Sequence, residues 1–163
     1  MIEGIYLLLG SNLGDKRLLL QEACQKIEEQ IGKVKQLTAI YETAAWGKED
    51  QPSFYNQVLE IETEYAPELL LQKTQAIENE MGRVRMEKWG SRIIDIDILY
   101  YNSEVLTKDE LVVPHPGIPD RRFTLTPLTE IAPDFVHPIL GLTNQKLLQQ
   151  CTDMLPVQKI SLD

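Results

Sequence analysis

The chain has 163 residues, with 16 basic against 25 acidic side chains, a formal charge of −9, and 43% hydrophobic residues with 9 Gly and 9 Pro. That composition suits a single domain over residues 1–163, large enough to bury a core without disulfides or a structural metal, and excludes disordered, collagenous and solenoid chains. The acid excess works against wholesale binding to nucleic acid or an anionic membrane, both of which require a cationic face.

Ile5 to Leu9 is a continuous apolar run closed by Gly10, short enough for a buried strand and too short for a membrane span. Residues 16–31 carry Leu20, Ala23, Ile27 and Ile31 at helical spacing, with Gly32 as the stop. Between strand and helix, Gly10-Ser11-Asn12-Leu13-Gly14-Asp15-Lys16 lacks the spacing of a Walker A loop and reads as a turn capped by Asn12 or Asp15. Val34 to Thr43, β-branched and aromatic, and Val58 to Thr63, alternating with glutamates, read as strands. Pro67 opens a second helix whose inner stripe is Leu70, Thr74, Ile77 and Met81, ended by Gly82. Ile94 to Tyr101 is a further strand, apolar enough to expect it in the centre of a sheet. The order strand, helix, strand, strand, helix, strand predicts an α+β fold: a ferredoxin-like antiparallel sheet in split βαβ order with helices packed on it. The proline-rich stretch 110–138 predicts long ordered loops, followed by a short helix near Asn144 to Cys151. Cys24 and Cys151 form no CxxC or Cys/His pattern, and no secretory leader is evident, so a reducing cytoplasm is expected.

Chemistry gathers in the second half. Apart from Arg17, every arginine lies between residues 83 and 122: Arg83, Arg85, Arg92, Arg121 and Arg122, with Lys88 among them. Planar guanidinium forks suit phosphate oxygens, although a solvated loop paired with surplus glutamate would look the same. Asp95 and Asp97 alternate with Ile94, Ile96 and Ile98, so a strand aims both carboxylates one way, roughly 6–7 Å apart. Two such charges need a divalent cation or an arginine, and carboxylate-only ligation suits Mg²⁺ shared with substrate phosphates. Paired carboxylates beside arginines together describe a polyphosphate clamp. Phe54, Tyr55, Trp89 and Phe123 lie in or beside expected loops, where rings can hold a flat heterocycle, and the Asn56 amide can read its edge. His115, between Pro114 and Pro116, is placed for phosphate binding, acid–base work or a structural hydrogen bond.

The run Lys88-Trp89-Gly90-Ser91-Arg92-Ile93-Ile94-Asp95-Ile96-Asp97-Ile98-Leu99 resembles the signature of the 6-hydroxymethyl-7,8-dihydropterin pyrophosphokinase family of folate biosynthesis. Gly10-Ser11-Asn12-Leu13, Thr43 with Gly47, Asp50-Gln51-Pro52, Gly82-Arg83-Val84-Arg85, Val113-Pro114-His115 and Arg121 to Phe123 resemble further landmarks in the same order. The resemblance implies Mg²⁺-dependent transfer of diphosphate from ATP to the hydroxymethyl group of a reduced pterin, releasing AMP. It implies two Mg²⁺ ions on Asp95 and Asp97, and Arg83 and Arg92 acting with them in catalysis. Gln75, Glu78, Arg85, Trp89, Ile98, His115 and Arg121 are implied for the nucleotide, and Thr43, Trp46, Phe54, Asn56 and Phe123 for the pterin. A monomer is expected. Departures from the family pattern are Ala44 and Ala45 for prolines, Lys88 for Arg, Ser91 for Pro, Glu110 for a basic residue in some members, and Pro116 after the histidine. The competing classes are a non-catalytic nucleotide-sensing module and a metal-dependent phosphohydrolase, the latter needing no aromatic pair for a flat acceptor.

Overall fold

A computed structural model describes residues 3–43, 53–82 and 93–160. Strand β1 (Ile5–Ser11) leads to helix α1 (Lys16–Gln30), strands β2 (Val34–Leu37), β3 (Tyr41–Thr43) and β4 (Phe54–Ile61), helix α2 (Pro67–Glu80) and strand β5 (Asp95–Tyr101). A hairpin of β6 (Leu106–Thr107) and β7 (Val112–Val113) follows, then a 3-10 turn at Ile118–Asp120, helices α3 (Arg122–Ile131) and α4 (Asn144–Gln149), and strand β8 (Val157–Lys159). The sheet is antiparallel in the order β5-β1-β4-β3-β8, with β2 also on β4. The architecture is therefore mixed α+β.

Period two along β1 divides the molecule. Leu7 and Leu9 are fully buried with Leu59, Ile61, Ile96 and Ile98 beneath α1 and α2. At about 1.5–3 kcal/mol for each such side chain, this burial commits the alternate residues Leu8 and Gly10 to the opposite face. There Tyr6, Leu8, Val58, Leu99 and Tyr100 pack with Leu125, Leu128, Phe135 and Leu147 from α3, α4 and their connection. A register shift between Tyr6 and Leu7 makes Leu99 an extra residue of β5, so that Leu99 and Tyr100 both join this second core.

Several elements match the sequence periodicity closely. Asp15 caps α1, its carboxylate accepting from Leu18 N at 3.2 Å. Pro67 sits in the first turn of α2, and Gly82, at φ +95°, takes the left-handed turn that ends it.

Others differ. The expected strand over 34–43 is broken at residues 38–40, where the Thr38 hydroxyl accepts from Val58 N at 3.1 Å and its carbonyl from Gln57 Nε2 at 2.7 Å. Strand β4 starts at Phe54, earlier than the alternation suggested, carrying polar Asn56 and Gln57 into the sheet. The stretch 110–138 is not all loop. It holds α3, whose first turn lacks a local cap and is capped from a distance, Asp153 Oδ2 accepting from Arg122 N at 3.0 Å. Strand β5 is an edge strand and not a central one. Among the described residues no strand pairs with its outer side, where Glu78 Oε2 accepts from Ile96 N at 2.7 Å and Leu99 O accepts from His115 N at 2.9 Å.

Candidate active site

On the second face, α3 and α4 cover the sheet beside Tyr6 and Leu8 but leave open the end where β1 runs on through Gly10. Across that end the register aligns Asp95, Gly10, Asn56 and Tyr41 on β5, β1, β4 and β3, with Thr43 opposite Phe54 one step further out. The result is a cavity of about 200 Å³ lined by Leu8, Gly10, Thr43, Phe54, Asn56, Asp95, Asp97, Arg121 and Phe123. Its floor depends on glycine. A Cβ at Gly10 would stand 2.9 Å from Asn56 Oδ1 and 3.8 Å from the Phe54 ring. Asn56 is buried, and its Nδ2 donates to Thr43 Oγ1 at 3.2 Å, which leaves Oδ1 as the acceptor over the floor.

A second cavity, of about 260 Å³, lies off the outer edge of β5. Leu71, Ile96, Ile98, Leu111 and Val112 supply apolar walls, and Asp97, Asp109, Glu110 and His115 the polar groups. Asp97 lines both cavities. The imidazole of His115 is oriented by its own turn, Nδ1 accepting from Gly117 N at 3.0 Å, so that in the neutral ring the proton sits on Nε2. Burial lowers the His115 pKa below the usual histidine value, with the Asp97 carboxylate opposing that shift and the Arg121 guanidinium adding to it.

Adjacent arginines have opposite fates. Arg121, at the extended residue preceding α3, faces the first cavity, its guanidinium carbon 5.7 Å from the Phe123 ring centroid. Arg122 is tied to the C-terminal segment, Nε donating to Asp153 O at 2.8 Å and a terminal nitrogen to Cys151 O at 3.1 Å. Its charge anchors α3.

The donor set of the first cavity fits a hard cation. Asp95 and Asp97 project from one face of β5 and are partly exposed. Among the described residues no cluster of three or more His, Cys, Asp or Glu completes a metal cage. Mg²⁺ commonly takes one or two carboxylates and completes its shell with water and substrate phosphates.

Residues 6–133 match the model of the 7,8-dihydro-6-hydroxymethylpterin-pyrophosphokinase (HPPK) family. The chain belongs to that family. HPPK relatives include the 2-amino-4-hydroxy-6-hydroxymethyldihydropteridine pyrophosphokinase of Aquifex aeolicus, 44% identical over 135 residues covering 83% of this chain and 84% of the relative. The protein of the same name in Bacillus subtilis is 44% identical over 77% of this chain and 76% of its own length. The "Folic acid synthesis protein fol1" of Pneumocystis carinii is 38% identical over 93% of this chain, which spans only 20% of that longer protein. A crystal structure of Plasmodium falciparum HPPK-DHPS with pteroate shares the fold, with a TM-score of 0.73 at 18% identity, covering 90% of this chain and 42% of that one.

Of the residues that the HPPK resemblance implied, the first cavity gathers Thr43, Phe54, Asn56, Asp95, Asp97, Arg121 and Phe123, and the second gathers Asp97, Ile98 and His115. Gln75 is exposed on α2 and lines neither. Glu78 is buried behind β5, one carboxylate oxygen bonded to Ile96 N between the two aspartates. Trp46, Arg83, Arg85, Trp89 and Arg92 lie outside the described residues. Gly10 was legible as the end of an apolar run and as the start of the Gly10-Ser11-Asn12-Leu13 landmark, but not as a cavity floor, and nothing local in the sequence marked Gly117.

Proposed function

We propose that this chain transfers the terminal diphosphate of ATP to the hydroxymethyl oxygen of 6-hydroxymethyl-7,8-dihydropterin, releasing AMP, as a step of folate biosynthesis. The observation that carries this reading is the position of Asp97, shared by an aromatic, amide-lined cavity and a groove along the edge of β5. Transfer between two bound molecules needs such a meeting point, where the reacting atoms are held in line. Family membership supports the chemistry, and the two cavities support the division of labour.

The flat pterin ring lies against Phe54 and Phe123, and Asn56 Oδ1, held by Thr43, accepts from the donors on its edge. The nucleotide base takes the apolar groove beside Ile98, with its phosphates running toward Asp97, His115 and Arg121. The hydroxymethyl oxygen attacks the β-phosphorus. A new O–Pβ bond forms, the bridging bond from the β-phosphorus to the α-phosphate oxygen breaks, AMP departs with that oxygen, and the hydroxyl proton is released to solvent. His115 donates from Nε2 and Arg121 from its guanidinium to phosphate oxygens. Two Mg²⁺ ions held by Asp95 and Asp97 would supply the charge neutralisation that a triphosphate requires beside two carboxylates. Arg83, Arg85, Arg92, Gln75, Glu78, Trp46 and Trp89 belong to the proposal through the family alone.

The strand arrangement supports reading the core as ferredoxin-like, because β4 separates β1 from β2 and β1 separates β4 from β5. Both cores pack on one sheet, which supports one domain over residues 1–163. No helix among the described residues is long and apolar enough to cross a membrane, and a cytoplasmic monomer is the setting proposed. A non-catalytic nucleotide sensor would not need a carboxylate shared by two cavities. The test is Asp97→Asn. It should retain pterin binding while the turnover number falls by orders of magnitude, as expected for an interaction strengthened in the transition state; an unchanged turnover number contradicts the assignment.

A further inference from the structure

The turn that carries His115 also meets Arg121, and both meetings pass through one residue. Gly117 donates its N–H to His115 Nδ1 at 3.0 Å. On its other side there is no room for a side chain. A Cβ at Gly117 would stand 2.8 Å from Arg121 Nε, 2.9 Å from Cζ and 3.0 Å from Cδ. The backbone of Gly117 has φ −82° and ψ −7°, a conformation open to any residue. Glycine is therefore required here by the approach of the guanidinium and not by the turn. The atoms in conflict are the far end of a flexible side chain, so an added methyl would displace Arg121 before it disturbed the fold. Arg121 lines the first cavity and lies 5.7 Å from the Phe123 ring, while His115 lines the second cavity.

We propose that Gly117 is a positioning residue, whose missing side chain seats the Arg121 guanidinium against the 115–117 turn and sets its distance from the groove that holds His115. The proposal rests on the reading of Arg121 as a phosphate-binding group. Alanine at 117 keeps the N–H that orients His115, so the substitution isolates the arginine.

The experiment is a double-mutant cycle of Gly117→Ala and Arg121→Ala, reading calorimetric binding of a non-hydrolysable ATP analogue with Mg²⁺. Melting temperatures and the Arg121 Nε–H resonance of the Gly117→Ala protein accompany it. Arg121→Ala should weaken analogue binding roughly tenfold to a hundredfold, the range of a charge-assisted hydrogen bond. Gly117→Ala should produce a large part of that loss at an unchanged melting temperature, shift the Nε–H resonance, and add nothing in the Arg121→Ala background. Wild-type binding by Gly117→Ala, an unmoved resonance, or losses that simply add would overturn the positioning role. If Arg121→Ala alone leaves binding intact, the phosphate assignment fails, while the resonance still reports whether Gly117 seats the arginine.

Discussion

Gly10 and Asn56 face each other across β1 and β4, so close that the Asn56 side-chain oxygen would lie 2.9 Å from a Cβ at Gly10. The absent side chain makes the cavity floor, and the amide oxygen rests over it. Gly10→Ala should tilt the Asn56 amide off its bond to Thr43 and into the pterin space. Overpacking of this kind costs about 1–3 kcal/mol, so pterin affinity should fall on the order of tenfold while ATP-analogue binding holds. Pterin titration by fluorescence checks it, and unchanged affinity would remove the floor from the recognition scheme.

Phe123 occupies the first turn of α3, beside Arg121 and against the second core. Phe123→Ala should cost pterin binding about 1–3 kcal/mol, the size of an aromatic stack on a heterocycle, with little change in binding of the nucleotide alone. Equal loss of both ligands would assign the ring to packing.

Glu78 supplies an acceptor on the side of β5 where, among the described residues, no strand pairs. Its carboxylate, buried on α2, accepts from Ile96 N at the outer edge of β5, between Asp95 and Asp97. Glu78→Ala leaves that N–H without its acceptor and should cost about 1–3 kcal/mol of stability. Hydrogen exchange at Ile96 should accelerate in Glu78→Ala and recover in Glu78→Gln, whose amide oxygen can still accept. An Ile96 amide as protected as in the wild type would contradict this role.

His137 gives the stability a pH dependence. Nδ1 accepts from Ile139 N at 3.2 Å and Leu140 N at 3.1 Å, the Tyr100 ring stands edge-on at 5.7 Å, and burial lowers the histidine pKa. A depressed folded-state pKa means the unfolded chain takes up the proton first as pH falls. The stability is complete above the ordinary histidine value near 6.5 and declines as pH drops from there toward the lower folded-state value. Melting temperature should therefore fall as pH drops below about 6.5, and His137→Asn, which keeps an acceptor, should flatten part of that decline. An identical slope in the variant would place the titration elsewhere.

Much of this was legible because it is periodic. Alternation in 94–98 set both aspartates on one face, and the apolar spacing of α1 and α2 marked their inner stripes. What escaped was held by contacts far apart in sequence. Helix α3 carries Pro127 in its interior and takes its N-terminal cap from Asp153, so its start does not announce itself locally. The burial of β5 suggested a central strand, but α2 and the His115 turn cover its edge instead. Arg121 and Arg122 look alike in sequence, and their duties separate through long-range contacts, Arg122 anchored to Asp153 and Cys151 while Arg121 faces the first cavity. Gly117 conforms to no motif, since its requirement comes from a side chain four residues on.

The most direct test is nucleotide product analysis after incubation with ATP, Mg²⁺ and 6-hydroxymethyl-7,8-dihydropterin, alongside mixtures lacking the pterin or the metal. Diphosphate transfer across Asp97 predicts AMP and the pterin diphosphate in the complete mixture only. ADP and phosphate formed without pterin, or ATP bound but never turned over, would contradict it.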